Sequence, residues 1–206
     1  MAFALPATIR VKEIRHEGVQ IYYPEVRQLK DRNVQRRINQ EIVKRVGRLI
    51  DEQYKKQAAD RFTEMIGTFE IKTNERNIFS VTLGSYAYAE GFAHGLTLMD
   101  SITLDIETGK VYDLQDLFKV NSDYVKVLSK DIQAQIKERE LPILNGFTSI
   151  AKDQSYYLAD KSLVIYFQAY DMTPGYVGLP AFPMNAFLFE DILKEKGPLK
   201  RLLPTV

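Results

Sequence analysis

The chain has no cysteine in its 206 residues, which removes disulfides, thiolate metal sites and cysteine nucleophiles. Histidine is nearly absent too: His16 and His94 are the two present. A zinc centre on the usual histidine-rich ligand sets is therefore not expected, although one histidine with carboxylates can hold a metal weakly. No apolar run approaches the roughly 18 residues that a membrane-spanning helix needs. Residues 1–9, MAFALPATI, are apolar but short, are broken by Pro6 and lack a basic n-region. They make a poor signal peptide, and a chain trimmed of a leader would read the same. Net charge is +1, so no whole-molecule field points to nucleic acid or to a membrane surface. A G-x-S-x-G elbow, a phosphate-cradling loop and a dinucleotide fingerprint are all missing, and with them any expectation of a cofactor. No repeat, low-complexity run or linker divides the chain.

What is present is ordinary for a globular protein, 45% hydrophobic and 27% charged, and long enough for one domain with a real core. Ala7 to His16 alternates loosely, Glu17-Gly18 reads as a turn, and Val19 to Tyr23 reads as a second strand closed by Pro24. Asp31 to Ala58 is the clearest helix. Val34, Ile38, Ile42, Val46, Leu49 and Ile50 recur at helical spacing, with Asp31 placed to cap. Its other side carries Arg37, Lys44, Arg48 and Lys55, which reads as a stripe for an acidic partner or as a solvated face. Interleaved pairs such as Glu41–Arg45 and Asp51–Lys55 favour the solvated face.

Phe62–Thr73 and Ile78–Tyr88 read as strands around a four-residue loop, Asn74 to Asn77. Phe79, Val81 and Leu83 share one parity, and Tyr86 and Tyr88 take the other. That switch predicts a bulge or sharp twist at Gly84. The segment Glu90-Gly91-Phe92-Ala93-His94-Gly95 follows, with both glycines expected at positive φ. Leu96, Leu98, Ile102, Leu104 and Ile106 alternate along the next strand. Asp100 interrupts their face and requires a partner or solvent access; His94, Tyr86 and Tyr88 are the nearby polar groups that could serve as partners. Glu107 to Lys110 is a turn that Asp105 can cap. A short helix then holds Leu114, Leu117 and Phe118.

Asn121 or Ser122 is placed to cap a second helix, with Val125, Leu128, Ile132 and Ile136 as its buried stripe and Pro142 beyond its end. Tyr156–Ala159, Asp160-Lys161 and Ser162–Tyr170 form a second hairpin, whose run Leu163 to Phe167 is apolar enough for a central strand. Pro174, Gly175, Gly178, Pro180 and Pro183 predict a loop. Ala186–Leu193 predicts a last helix, and the tail to Val206 reads as peripheral.

These residues resemble the DUF3298 family, often found with a companion DUF4163 domain. The resemblance rests on Tyr86 and Tyr88, Gly91 with His94-Gly95, Thr103 with Asp105, Thr108-Gly109-Lys110, and Leu114 with Asp116-Leu117-Phe118. Tyr170, Pro174, Gly178 and Pro183 form a second block. Phe92 stands where the family usually has a second glycine, and the tyrosine after Pro174 is displaced by one, to Tyr176. The DUF3298-like portion covers residues 78–194, and residues 1–77 are loosely DUF4163-like. Such domains occur in the sensor part of sigma-V-type anti-sigma factors, which bind lysozyme, and beside polysaccharide deacetylase domains. The resemblance thus implies an extracytoplasmic binding module of the cell envelope; without it, the sequence as written reads as cytoplasmic.

The fold expected is α+β: a single domain with an antiparallel sheet and the Asp31–Ala58 and Asn121–Arg139 helices packed on it. The expected function is non-catalytic recognition of a lysozyme-like protein or a wall glycan. The candidate binding residues are Tyr86, Tyr88, Glu90, Gly91, Phe92, His94, Gly95, Asp100 and Tyr176. No catalytic residue, metal or cofactor is assigned, and no nucleic-acid partner is expected. Two other readings stand beside this one. In the first, His94 with Glu90 or Asp100 acts on a wall glycan as a general acid–base set. In the second, His94 and Asp105 serve their own backbone, and tyrosines such as Tyr156, Tyr157 and Tyr166 pack on the sheet.

Overall fold

The computed structural model describes residues 6–204, so the first five residues of the apolar N-terminal stretch, and the last two of the tail, lie outside the described residues. Among the described residues no helix is long and apolar enough to cross a membrane. The α+β class holds, with strands mostly antiparallel. The strands form two sheets rather than one, and the chain divides into two compact units, Met1–Lys110 and Val111–Val206.

In the first unit, β1 (Thr8–His16) and β2 (Val19–Arg27) pair antiparallel along their whole length, joined at Gly18 with φ 71°. Pro24 does not close β2, contrary to the sequence expectation. β2 pairs with β3 (Glu64–Glu75) only through Val19–Ile21, so beyond Ile21 no second ladder asks Pro24 for an N–H. That short pairing is parallel, and it needs Gly67, because a Cβ there would run into the Ile21 side chain. β4 (Ile78–Tyr88) and β5 (Leu96–Asp105) complete a sheet in the order β1-β2-β3-β4-β5.

The β3–β4 connection is tighter than expected. Glu75 pairs with Ile78, leaving a two-residue turn at Arg76 and Asn77 with φ of 49° and 62°. Positive φ at both positions is the requirement of a type I′ turn, whose twist matches the flanking strands. The register irregularity lies at Ile71/Thr73 in β3 and not at Gly84, which pairs regularly with Thr68 and Met99.

Helix α1 (Arg32–Gln57) covers one face of this sheet. Asp31 caps it, its carboxylate accepting from the Asn33 and Val34 amides at 2.7 and 3.2 Å. Val46 and Leu49 meet Ile21, Met65, Leu83, Ala87 and Leu98 in the core, and Ile50 packs at its edge. At the end of β5, Asp105 accepts from the Glu107 and Thr108 amides and Gly109 turns at φ 72°, so this aspartate does serve its own turn.

In the second unit a 3-10 turn, Leu114–Leu117, precedes α2 (Tyr124–Glu138). The residue at the start of α2 is Asp123, not Asn121 or Ser122; Asn121 instead takes φ 63° in the entering turn. β6 (Tyr156–Ala159), β7 (Ser162–Tyr166) and β8 (Ala181–Asn185) form a sheet with β7 central, as its apolar run predicts. β8 was expected as loop. It tolerates Pro183 because it is an edge strand, and the Pro183 carbonyl accepts from Gln135 of α2 at 2.9 Å. A 3-10 segment, Ala186–Ile192, follows. The tail is not peripheral: α3 (Pro198–Leu202) buries Leu199 and Leu202 completely, and Leu203 nearly so.

Candidate functional site

The Gly91–Gly95 corner joins two long strands. Ala87 and Leu96 form the last rung of the β4–β5 ladder, and beyond Tyr88, which still pairs with Glu64 of β3, the chain leaves the sheet. Ala89 is buried, and its carbonyl accepts from the Phe92 amide at 3.3 Å. Residues 90 to 94 are exposed, and Phe92, at 43% exposure, is a large apolar ring at the tip. Gly91 takes φ 90°, as predicted. Gly95 does not have positive φ, and its role is different. A Cβ there would lie 2.5 Å from the Tyr86 ring, so Tyr86 packs directly on the Gly95 backbone. Tyr86 and Tyr88 are half-buried. Tyr88 holds the entry to β3 through its carbonyl, which accepts from the Thr63 amide at 2.8 Å.

Two glutamines that the sequence reading passed over anchor the foot of the corner. Gln53 of α1 is fully buried and donates to the Ser85 and Leu96 carbonyls at 2.9 and 3.1 Å. Gln57 donates to Gln53 Oε1 at 2.9 Å and to the Ala87 carbonyl at 3.2 Å. The only signal available was their place one and two turns beyond Leu49, in line with the apolar stripe.

Asp100 is not bonded to His94, Tyr86 or Tyr88. Its carboxylate accepts from Arg45 at 2.9 Å and from its neighbour's Ser101 amide at 2.7 Å, and Arg48 lies 3.9 Å away. A carboxylate on the helix-covered face finds its cation on that helix, and the i,i+4 partner Glu41 completes the group. The basic side of α1 is thereby largely neutralised. Arg37, further along, donates to the Thr108 carbonyl at 2.9 Å. His94 Nδ1 lies 3.0 Å from the Gly95 carbonyl, a local backbone contact. An acid–base pair of His94 with Asp100 is therefore not assembled, while Glu90 stands exposed at the corner. Among the described residues, no three histidine or acidic side chains gather as a metal site would require.

Tyr176 belongs to the second unit, on a 3-10 turn, Gly175–Val177, that follows Pro174. It is 83% exposed. Tyr170 beside it has φ 70°, and its ring lies on Gly175, where a Cβ would collide with it. The other tyrosines named from the sequence are structural. Tyr166 is fully buried, Tyr156 donates its hydroxyl to the Tyr112 carbonyl at 2.8 Å, and Tyr157 packs on Tyr166 with ring centroids 6.0 Å apart.

The same unit has a feature with no counterpart in the sequence reading. A cleft of about 1110 Å³ opens beside the start of α2, lined by residues from Gln115 to Lys130 together with Gln133, Thr148, Ser149, Lys152 and Lys194. Phe118 and Tyr124 stack within it, rings 4.7 Å apart and 4° from parallel. Burial, and then the nearby Asp153 carboxylate, raise the Tyr124 pKa, and its hydroxyl donates to the Lys152 carbonyl at 2.9 Å.

Comparison with known families separates the two units. Residues 115–185 match the family described as a protein of unknown function, DUF3298. The DUF3298 domain match is thus confined to the second unit. Residues 13–97 match the family described as Deacetylase PdaC. The DUF3298 match therefore holds Asp116 to Pro183 of the residues that prompted the resemblance, and the Tyr86–Gly95 corner falls in the PdaC match.

Two relatives from Bacillus subtilis (strain 168) are similar to the chain. Anti-sigma-V factor RsiV is 23% identical across 90% of this chain and 69% of its own length. Peptidoglycan-N-acetylmuramic acid deacetylase PdaC is 27% identical across 62% of this chain, which spans only 29% of the deacetylase. The fold is shared with a DUF3298 family protein from Pseudomonas aeruginosa PAO1, with TM-score 0.68, 14% identity and 98% of each chain covered. A DUF3298 family member from Bacteroides fragilis gives TM-score 0.65 at 14% identity, covering 98% of this chain and 97% of its own.

Proposed function

We propose that this DUF3298 protein is a non-catalytic binding module of the cell envelope, and that it recognises a lysozyme-like protein through the Gly91–Gly95 corner. The observation that carries the reading is the contrast within that corner. Its foot is tied to α1 by buried amides, while its tip presents Phe92 and His94 to solvent. A rigid, exposed aromatic tip loses little entropy on docking, which is how a small surface becomes an energetic anchor. Similarity to RsiV along 90% of the chain supports a binding role. Tyr176 offers a second exposed aromatic of the same kind on the DUF3298 domain. The enzyme alternative loses Asp100 to its arginine partners, which leaves only Glu90 beside His94.

Calorimetric titration of the chain with lysozyme, and separately with soluble wall fragments, tests this. Phe92→Ala, His94→Ala and Tyr176→Ala are expected to keep the parent melting temperature. Loss of an anchor should weaken binding by about 2 kcal/mol, roughly 30-fold. Absence of binding to lysozyme and to wall fragments alike would end the proposal. Release of a product from wall glycan, lost in His94→Ala, would replace it with catalysis.

A further inference from the structure

The cleft in the second unit has a charge pattern that its fold does not use. Five lysines line it, at positions 119, 126, 130, 152 and 194, against Asp116 and Asp123. All five are exposed. Among the described residues none has a carboxylate within 4.0 Å. Lys119 reaches only a backbone carbonyl, that of Asp191, at 2.7 Å. Asp116 is committed to the Asp113 amide at 3.1 Å. On α1 the opposite holds: Arg45 and Arg48 share Glu41 and Asp100, and Lys44 lies 3.9 Å from Glu41. Like charges gathered around a concavity repel one another and raise the local anion concentration.

The neutral groups narrow the ligand. Asn121, Thr148 and Ser149 line the cleft together with the lysines. Such groups satisfy hydroxyls. Of the aromatic pair, Phe118 is buried against Tyr124 and Phe189, so a single half-buried ring, Tyr124, faces the cleft, fewer than the run of aromatic rings on which successive bases stack. The cations are all lysine, point charges tolerant of direction, rather than the arginine forks that clamp one carboxylate or phosphate. At about 1110 Å³ the cleft exceeds the usual range for a single small molecule.

We infer that this cleft binds an anionic glycan, a chain of hydroxyl-rich units carrying a carboxylate or phosphate at intervals, with Lys126, Lys130 and Lys152 as its principal contacts. The site lies in a different unit from the Gly91–Gly95 corner and stands or falls separately from it.

The test is calorimetric titration of the full chain with a polygalacturonate hexamer, a glycerol-phosphate hexamer and neutral chitohexaose, at low and at physiological salt. Binding to one or both anionic hexamers is expected, weakening with salt, with none to the neutral one. The carboxylate and phosphate arms tell which group is read. Lys126→Gln/Lys130→Gln/Lys152→Gln should weaken binding tenfold or more, and the corresponding triple arginine variant should retain it. A control triple on β1, Arg10→Gln/Lys12→Gln/Arg15→Gln, should leave it unchanged. All the altered side chains are solvent-accessible, and melting curves confirm folding. No binding to either anionic hexamer overturns the inference. So does an equal loss in the β1 control, or binding of single-stranded DNA as tight as that of the better glycan.

Discussion

Gln53→Leu is the sharpest test of how the exposed corner is held. The side chain is fully buried, and its amide nitrogen meets the Ser85 carbonyl at 2.9 Å, the Ser85 hydroxyl at 3.2 Å and the Leu96 carbonyl at 3.1 Å. Leucine is close in size but offers no donor, so two carbonyls at the foot of the corner lose a bond and Gln57 loses its acceptor. A buried hydrogen bond contributes about 1 kcal/mol net, and a stranded buried carbonyl costs about 1–3 kcal/mol. Removing both bonds should lower stability by about 2 kcal/mol, rising to about 4 kcal/mol if neither carbonyl finds another donor. Urea unfolding at unchanged m-value measures the loss. Native-state hydrogen exchange should show residues 89–96 opening more often, with the amides of Ile38 and Ile42 in α1 little affected. Gln53→Leu/Gln57→Leu should cost less than the sum of the single changes, since the two amides act as one unit. A loss under about 0.5 kcal/mol, within the ordinary scatter of surface substitutions, would show that these amides do not anchor the corner.

Three further substitutions probe the packing. Asp100→Ala leaves Arg45 with Glu41 and the Ser101 carbonyl; the side chains of the Arg45–Asp100 pair are 18% and 25% exposed, so the cost should fall between surface and buried pairs, about 1–2 kcal/mol by urea unfolding. Gly95→Ala places a Cβ 2.5 Å from the Tyr86 ring and should cost about 1–3 kcal/mol, with part of the loss recovered in Gly95→Ala/Tyr86→Ala. Tyr124 has its pKa raised above 10.0 by burial and by Asp153, so its neutral form is favoured in the folded state. That contribution is complete below pH 10.0 and is lost as pH rises through the folded value, so Tyr124→Phe should flatten the alkaline decline in stability.

How far the sequence was legible depended on the range of the forces involved. The Asp31–Ala58 helix was legible to its caps, because a 3.6-residue apolar repeat and a capping carboxylate are local signals. So was the Asp105 turn, where the side chain bonds amides two and three residues away. Pro24 and Pro183 misled, because a missing N–H matters only if a neighbouring strand asks for it, and strand order is not written locally. The roles of Gln53 and Gln57 were not legible, since their partners lie more than thirty residues away for Ser85 and at thirty for Ala87. The lysine cleft was invisible for the same reason: its cations are dispersed from 119 to 194 without a period, and only the fold gathers them.

The glycines of the two exposed aromatic corners show why a recognisable pattern can be kept for a reason other than the one first read. Gly91 and Gly178 have φ of 90° and 78°, and nothing stands within 4 Å of an added Cβ. Their need is backbone conformation. Gly95 and Gly175 have no such φ, yet a side chain on either would enter a tyrosine ring, Tyr86 in the first unit and Tyr170 in the second. Their need is close approach. In each unit, then, a tyrosine ring packs closely against a glycine near in sequence to an exposed aromatic, Phe92 in one and Tyr176 in the other. Packing of this sort fixes the loop without covering its tip, which is the condition for a pre-organised recognition surface. The two classes separate by experiment: alanine at Gly95 or Gly175 should be rescued by shortening the partner tyrosine, whereas alanine at Gly91 or Gly178 should find no rescuing partner, because its cost, about 1–3 kcal/mol, lies in the backbone itself.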